Sequence, residues 1–200
     1  MPSQPRTGRG RASRERIVAR AAELFAERGV AATSLDEVLA ASGAGKGQLY
    51  HYFRGRDELV AAAVGLRCTQ VLAGLTRALG AVASLAELEL ALAGFAHEYE
   101  QMGLPGCPIG SLAAEVAGRN EDARLQTAAA FGAWERLFAD ALNRMRDRGE
   151  LRADASPAVL ATALLASIEG GMVLSQARKD PGSLRIAVEA GLARVRTYLG

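Results

Sequence analysis

Apolar residues recur every three or four positions along most of the chain, which is the spacing of a helix with one buried face. Phe131, Trp134 and Phe138 show this pattern clearly, since all three lie on one side of a predicted helix. No segment alternates apolar and polar residues as a half-buried strand does. The pattern therefore predicts an all-α fold. The predicted helices cover approximately residues 13–28, 35–42, 45–53, 57–79, 85–102, 111–117, 121–148, 157–177 and 183–199.

Capping residues define several of these boundaries. The run Ser34–Glu37 has the form of a capping box, in which a serine hydroxyl and a glutamate carboxylate each bind one backbone N–H at the helix start. Gly43 ends that short helix, and a second short helix follows within a few residues. Ser13 is the predicted cap of the first helix. Residues 1–12 are rich in Pro, Ser, Gly and Arg, and we expect them to form a mobile arm.

Charge is distributed unevenly along the chain. Residues 1–60 contain ten Lys or Arg and seven Asp or Glu, which leaves 14 basic and 15 acidic residues for the remainder. A local basic excess suits a polyanionic partner. Half of all residues are hydrophobic and 23% are charged, so we expect a globular chain. We expect neither a secretory signal nor a membrane span, and two cysteines on different segments suit a reducing cytoplasm.

The second short helix has two chemically different faces. Leu49, Tyr52 and Phe53 form its predicted core face. On the other face, amide, phenol and imidazole groups can bind base edges and phosphates in a major groove, and a glycine lets the backbone approach closely. An ordinary helix corner without DNA contacts is the alternative, against which the basic arm argues. The predicted DNA-binding residues are Ser34, Lys46, Gly47, Gln48, Tyr50, His51, Arg54 and Arg56.

These residues carry a resemblance to a known family. The segments 24–29, 33–38, 46–53 and 57–59, with Gly43 between them, are similar to the DNA-binding domain of the TetR family of repressors. The resemblance implies a three-helix DNA-binding domain joined to an all-α regulatory domain. It also implies a two-fold dimer that leaves its operator when a ligand binds.

Individual positions follow or depart from that family's pattern. The resemblance implies that Arg56 contacts phosphate at the start of the fourth helix. Leu39, Ala44 and Gly45 depart from the pattern, so the recognition helix is expected to begin without a side-chain cap. The residues that match recognition-helix contacts of the family are Lys46, Gln48, Tyr50 and His51.

The C-terminal part contains a second resemblance. Residues 106–115 resemble a loop and helix of the LmrA/YxaF-like branch of the family, whose members respond to hydrophobic or aromatic compounds. Such a regulator needs an apolar cavity with a few polar groups, for which His97 and Glu169 are candidates. Glu169 stands in an apolar run, where a carboxylate needs a partner. Plain core packing is the alternative for each apolar candidate. The predicted ligand-binding residues are Phe95, Tyr99, Met102, Leu112, Phe131, Trp134, Phe138, Glu169 and Met172.

The last two long helices are the predicted dimer interface, because each carries a strip of small residues that permits close approach. Two such helices from each chain would form a four-helix bundle about a two-fold axis. The strips consist of Ser167, Gly170, Gly171 and Ser175 on one helix and of Ala187, Ala190 and Gly191 on the other.

No catalytic or metal-binding pattern is recognisable in the sequence, and no cofactor is expected. Cys107 is interpreted as a buried apolar residue, with a redox thiol as the alternative. The prediction is a cytoplasmic homodimeric repressor whose partners are double-stranded operator DNA and a small-molecule effector. A helical binding protein without DNA affinity and an all-α enzyme are the alternatives. The predicted domains are a mobile basic arm at 1–12, a helix-turn-helix DNA-binding domain at 13–60, and a helical ligand-binding and dimerisation domain at 61–200.

Overall fold

The computed structural model describes residues 8–200, and helices account for most of that range. The extended structure found among these residues is an isolated antiparallel bridge between Leu151 and Leu199. The predicted all-α fold is therefore confirmed. The helices are α1 Gly8–Arg28, α2 Leu35–Ser42, α3 Lys46–Tyr52, α4 Arg56–Leu79, α5 Leu85–Gln101, α6 Pro108–Val116, α7 Glu121–Asp147, α8 Pro157–Arg178 and α9 Gly182–Arg196.

Two helix starts differ from the prediction. Residues 8–12 belong to α1 rather than to a mobile arm, and Ser13 is buried within the helix instead of capping it. Arg9, Arg11 and Ala12 favour a helix although Gly8 and Gly10 do not, and Ser13 does not act as the cap. Residues 1–7, the rest of the predicted arm, lie outside the described residues. The helix predicted from residue 111 begins at Pro108, because proline has the required φ and needs no N–H partner in the first turn.

The packing of the helices divides the chain into two compact units, whose boundaries fall within α4, at the start of α6 and within α7. This division differs from the predicted domain boundary at residue 60. The assignment of separate functions to residues 13–60 and 61–200 remains a prediction. The first unit comprises the described residues up to Gln70 together with Pro108–Ala130, and the second comprises Val71–Cys107 and Phe131–Gly200.

Two glycines allow α8 and α9 to pack closely within the second unit. A Cβ atom at Gly171 would lie 2.7 Å from the Cβ atom of Ala187 on α9. A Cβ atom at Gly191 would lie 3.0 Å from Cδ2 of Leu164 on α8. These members of the small-residue strips therefore serve packing inside one chain, and not the contact between chains that we expected of them.

Within the described part of the chain, α4 and α8 are long and apolar enough to cross a membrane by length and composition. The sequence expectation of no membrane span rested on the lack of a wholly uncharged run of about 18 residues, and it stays a prediction. One or two such helices only weakly indicate a membrane-spanning protein, since core helices of globular proteins have the same length and composition. α8 packs along α9 and carries the ionisable residue Glu169.

Candidate nucleic-acid interface and effector site

α2 and α3 are joined by residues 43–45 and form a helix-turn-helix in the first unit. Gly43 has a left-handed φ of 64°, which allows the sharp turn between the two helices. At the start of α2, the backbone N–H of Ser34 and then its hydroxyl bind the Glu37 carboxylate and lower the pKa of Glu37. The predicted capping box is confirmed, and Ser34 fixes the first turn of α2.

α3 divides into a buried and an exposed face as its sequence predicts. Leu49 and Tyr52 are buried, as is Phe53 at the C-terminal end of the helix. Tyr50 is 61% exposed although it is a large aromatic residue, so it adds little to the core. The remaining polar face is also exposed, and it consists of Lys46, Gly47, Gln48 and His51.

Gln48 has a structural role that sequence reasoning missed. Its side-chain Oε1 accepts a hydrogen bond of 3.1 Å from the backbone N–H of Gly45, the residue that precedes α3. The recognition helix was expected to lack a side-chain cap, but Gln48 supplies one half of a capping box from the third helical position. This contact uses the amide oxygen, so the amide N–H₂ is the group with which Gln48 can donate to a base edge.

The two arginines after α3 have different surroundings. The Arg56 guanidinium donates hydrogen bonds to the carbonyl oxygens of Val30 and Thr33, the latter at 2.6 Å, and so holds the turn between α1 and α2. The side chain of Arg54 is 76% exposed, and its Nε lies 3.6 Å from a carboxylate oxygen of Glu58. Arg54 is therefore free to reach an approaching phosphate, whereas Arg56 would have to give up contacts with the backbone.

Two side chains from the α6–α7 region bind backbone groups of the N-terminal helices within the same unit. Glu115 accepts a hydrogen bond of 3.2 Å from the Ala31 N–H in the turn after α1. Asn120 donates to the Asp57 carbonyl oxygen at 2.8 Å, while its own carboxamide oxygen caps α7. The cap at Asn120 was predictable from local sequence. The other contacts were not, because their partners are backbone groups far away in the chain.

Four of the predicted effector-binding residues form one aromatic cluster in the second unit. Phe95 stacks on Tyr99 with ring centroids 6.4 Å apart, and it meets Trp134 edge to face at 6.3 Å. Trp134 in turn stacks on Phe138 at 6.4 Å. We call these four residues the aromatic cluster. Their pairing follows from helix spacing on α5 and α7, since each helix supplies two residues on one face.

Polar groups lie at the Tyr99 end of the aromatic cluster. The Tyr99 hydroxyl donates to the Met172 carbonyl oxygen at 3.0 Å and accepts from the Gly106 N–H at 3.1 Å, so its main hydrogen-bonding capacity is used. Burial raises the pKa of Tyr99, as do the nearby Cys107 and Glu169. Burial also raises the pKa of Glu169, although a hydrogen bond with Cys107 opposes this. Glu169 therefore lies near Tyr99, at one end of the aromatic cluster.

The other predicted effector-binding residues are distributed differently. Met172 is buried, Phe131 is half-buried on α7, and both belong to the second unit. Leu112 is buried in the first unit, where it belongs to α6. Met102 is 65% exposed because it follows the last turn of α5, and its predicted contact with a ligand stays a prediction. His97 is exposed on α5 and lines an open groove between α5 and α9.

Both parts of the chain match models of known families. Residues 17–63 match the bacterial regulatory proteins of the tetR family, and residues 84–190 match the C-terminal domain of LmrA/YxaF-like transcriptional regulators. This chain belongs to the TetR family. The predicted family and the predicted C-terminal branch are both confirmed. The TetR family consists of transcriptional regulators and not of enzymes.

Full-length TetR-family relatives support the assignment. The HTH-type transcriptional regulator YxaF of Bacillus subtilis is 32% identical over 180 residues, which cover 88% of this chain and 92% of that protein. The regulatory protein TetR from Rhodobacter sphaeroides has a crystal structure that superposes with a TM-score of 0.75 at 26% identity, covering 90% of this chain and 97% of that one.

A second solved structure of similar fold is that of a complex with a small molecule. The SmeT–triclosan complex superposes with a TM-score of 0.68 at 23% identity, covering 94% of this chain and 92% of that one. At this level of identity the likeness shows a shared fold.

Proposed function

We propose that this TetR-family regulator is a repressor that binds double-stranded operator DNA as a homodimer and leaves it when a small hydrophobic or aromatic molecule binds in the second unit. The observation that carries the proposal is the division of α3 into a buried face and an exposed polar face. A helix that only filled space would not present an exposed Tyr50 beside an amide and an imidazole. A helix that enters a major groove needs such groups.

The DNA contacts divide by chemistry into reading and positioning. Gln48 and His51 can donate to base edges, and Gly47 lets the α3 backbone approach the groove. Lys46, Tyr50 and Arg54 carry hydrogen-bond donors that suit phosphate oxygens. Contacts of this kind position the protein on the duplex without reading its sequence. Ser34 and Arg56, which we also predicted as contacts, serve mainly to fix α2 and the turn before it, and their backbone-bound groups would reach DNA only secondarily.

The dimer contact is proposed on the outer face of α8 and α9. Val173 on α8 is 58% exposed and Ile186 on α9 is 73% exposed, which is unusual for large apolar side chains. Gly170 is also exposed on α8, and a Cβ atom there would meet nothing within 4 Å. Two such faces related by a two-fold axis would form a four-helix bundle. The two recognition helices would then address half-sites about 34–36 Å apart.

Release from DNA is proposed to occur through the helices that run from one unit into the other. α4 begins beside the helix-turn-helix, and α7 begins directly after Asn120, which binds the first turn of α4. An effector that favours one position of these helices would shift the separation of the recognition helices. Only a ligand that binds the released conformation more tightly can do this. SmeT, a protein of the same fold, binds triclosan.

We place this regulator in the cytoplasm, without a membrane-spanning segment, because its partner there is operator DNA. α8 packs on α9, and α4 begins with a charged turn that Arg56 anchors by hydrogen bonds to the backbone. Both helices bury apolar side chains, such as Val64 on α4 and Leu164 on α8, and this burial explains their apolar composition.

The test is selection of duplexes bound by the full chain from a random DNA pool. We expect enrichment of an inverted repeat whose binding weakens steeply with salt, since phosphate contacts release counterions. A reporter promoter carrying the enriched sequence should be silenced when the protein is expressed. Tyr50→Ala should weaken binding, whereas Tyr198→Ala, at the far end of the chain beyond α9, should not. A pool without enrichment would contradict the proposal.

A further inference from the structure

Two buried polar atoms of the second unit, one in the aromatic cluster and one near its Tyr99 end, find no partner in the described part of the chain. Nε1 of Trp134 is one, and the residue as a whole is only 3% exposed. Oε1 of Glu169 is the other. Buried donors and acceptors are nearly always satisfied, because leaving one without a partner forfeits the hydrogen bonds that it makes with water. An indole N–H needs an acceptor, and a carboxylate oxygen needs a donor.

The neighbours of Glu169 do not supply the strong hydrogen-bond donor that its Oε1 atom lacks. Its carboxyl group hydrogen-bonds with the Cys107 thiol, which is a weak donor. The Tyr99 hydroxyl is directed to the Met172 carbonyl oxygen. Among the described residues, no Lys, Arg or His forms an ion pair with Glu169. The carboxyl group therefore lies near Tyr99, and no cation of the described residues pairs with it.

We propose that the effector of this regulator is an aromatic organic cation, whose ammonium group pairs with Glu169 and whose ring packs among Phe95, Tyr99 and Trp134. This inference rests on the proposed function for the role of the ligand, but it concerns binding alone. A charge-assisted hydrogen bond with a buried carboxylate is stronger than one from a neutral donor. Aromatic rings also attract a cation over their faces. A hydrogen-bond acceptor on the same ligand would satisfy the Trp134 N–H.

The test uses three probes of equal size that differ in one group. These are 1-naphthylmethylamine, which is cationic at neutral pH, the neutral 1-naphthalenemethanol and the anionic 1-naphthoate. Calorimetric titration of the full chain should give an affinity for the ammonium probe at least about tenfold above that for the alcohol. The carboxylate probe should bind more weakly than both.

Glu169→Gln provides the matched variant, because it keeps the shape of the side chain and removes its charge. The preference for the ammonium over the alcohol should disappear in Glu169→Gln and persist in Glu98→Gln, which changes an exposed glutamate on α5. Far-ultraviolet circular dichroism checks that the variants are folded. The comparison of the three probes on the unaltered protein does not depend on any variant.

Each result decides the proposal. Equal affinities for ammonium and alcohol, no binding of the ammonium, or an unchanged preference in Glu169→Gln would overturn it. Operator binding is measured separately on the ligand-free protein, so a protein that binds DNA but prefers the neutral probe leaves the proposed function standing. A protein that prefers the cation but binds no DNA would support the ligand proposal and contradict the proposed function.

Discussion

Gln48 combines two roles through the two ends of one amide group. Its oxygen caps α3 at the Gly45 N–H, and its N–H₂ group lies on the exposed face that we assign to the major groove. Because the cap restrains the side chain, the donor is held in a defined direction before DNA arrives. A residue chosen only for base reading would not need the first contact.

Replacement of Gln48 by Glu and by Ala should separate the roles. Glu keeps an oxygen acceptor for the cap, so the thermal stability should be retained, whereas Ala should lower the free energy of unfolding by about 1 kcal/mol. Both should change the base preference at one position of each half-site by about 1–3 kcal/mol, measured by competition between altered operators. Gln101→Ala, an exposed glutamine at the end of α5, is the control. Equal weakening on every sequence would show that Gln48 positions the helix and does not read bases.

Arg54 and Arg56 should respond differently to removal of charge. Arg54→Ala should lower the slope of log K against log salt by about 0.9, because one phosphate contact is lost. Arg56→Ala should lower the free energy of unfolding by about 2 kcal/mol, since it leaves two backbone carbonyl oxygens without their charged donor. Salt titration of operator binding and thermal unfolding measure the two effects. If Arg56→Ala changes the slope and not the stability, its guanidinium moves to phosphate on DNA, as the family resemblance suggested.

At the scale of whole elements, adjacent glycines of α8 have opposite surroundings. Gly171→Ala should lower the free energy of unfolding by about 1–3 kcal/mol, because its Cβ would overlap Ala187. Gly170→Ala should be neutral or stabilising, since alanine is the better helix former and the position is open. Gly170→Arg should leave the chain folded and convert dimer to monomer in sedimentation experiments. A dimeric Gly170→Arg protein would place the interface on another surface.

The elements that sequence predicted well are those whose boundaries depend on neighbours in the chain. Ser34 begins α2 and Gly43 ends it through contacts within a few residues, so both boundaries can be predicted from the local sequence. Gly171 could not be assigned correctly, because a strip of small residues permits close approach without indicating whether the partner helix belongs to the same chain. The faces of α3 followed from periodicity, whereas the cap from Gln48 depends on a side-chain rotamer. Glu115 gave no signal at all, since its partner is a main-chain N–H.

At the scale of the whole molecule, effector binding and DNA release should be separable. Trp134 is the only tryptophan, so its fluorescence should report effector binding directly. Glu115→Ala should leave that signal intact while reducing the effect of the effector on operator affinity, which typically amounts to about 5–150-fold in coupled systems. Glu121→Ala, which removes the partner of Arg124 on the exposed start of α7, is the control. Unchanged coupling in Glu115→Ala would show that the signal travels through other contacts, such as those of α4.

The contacts of Glu115 and Asn120 suggest that the helix-turn-helix of this regulator can be replaced by that of a relative. Both side chains bind main-chain atoms, the N–H of residue 31 and the carbonyl oxygen of residue 57, which almost any transplanted helix-turn-helix would also offer. The donor would also need a glycine at position 29, where a Cβ atom would lie 3.0 Å from the Glu115 carboxylate. A chimaera that meets this requirement could acquire a new operator while retaining the effector response of the present chain.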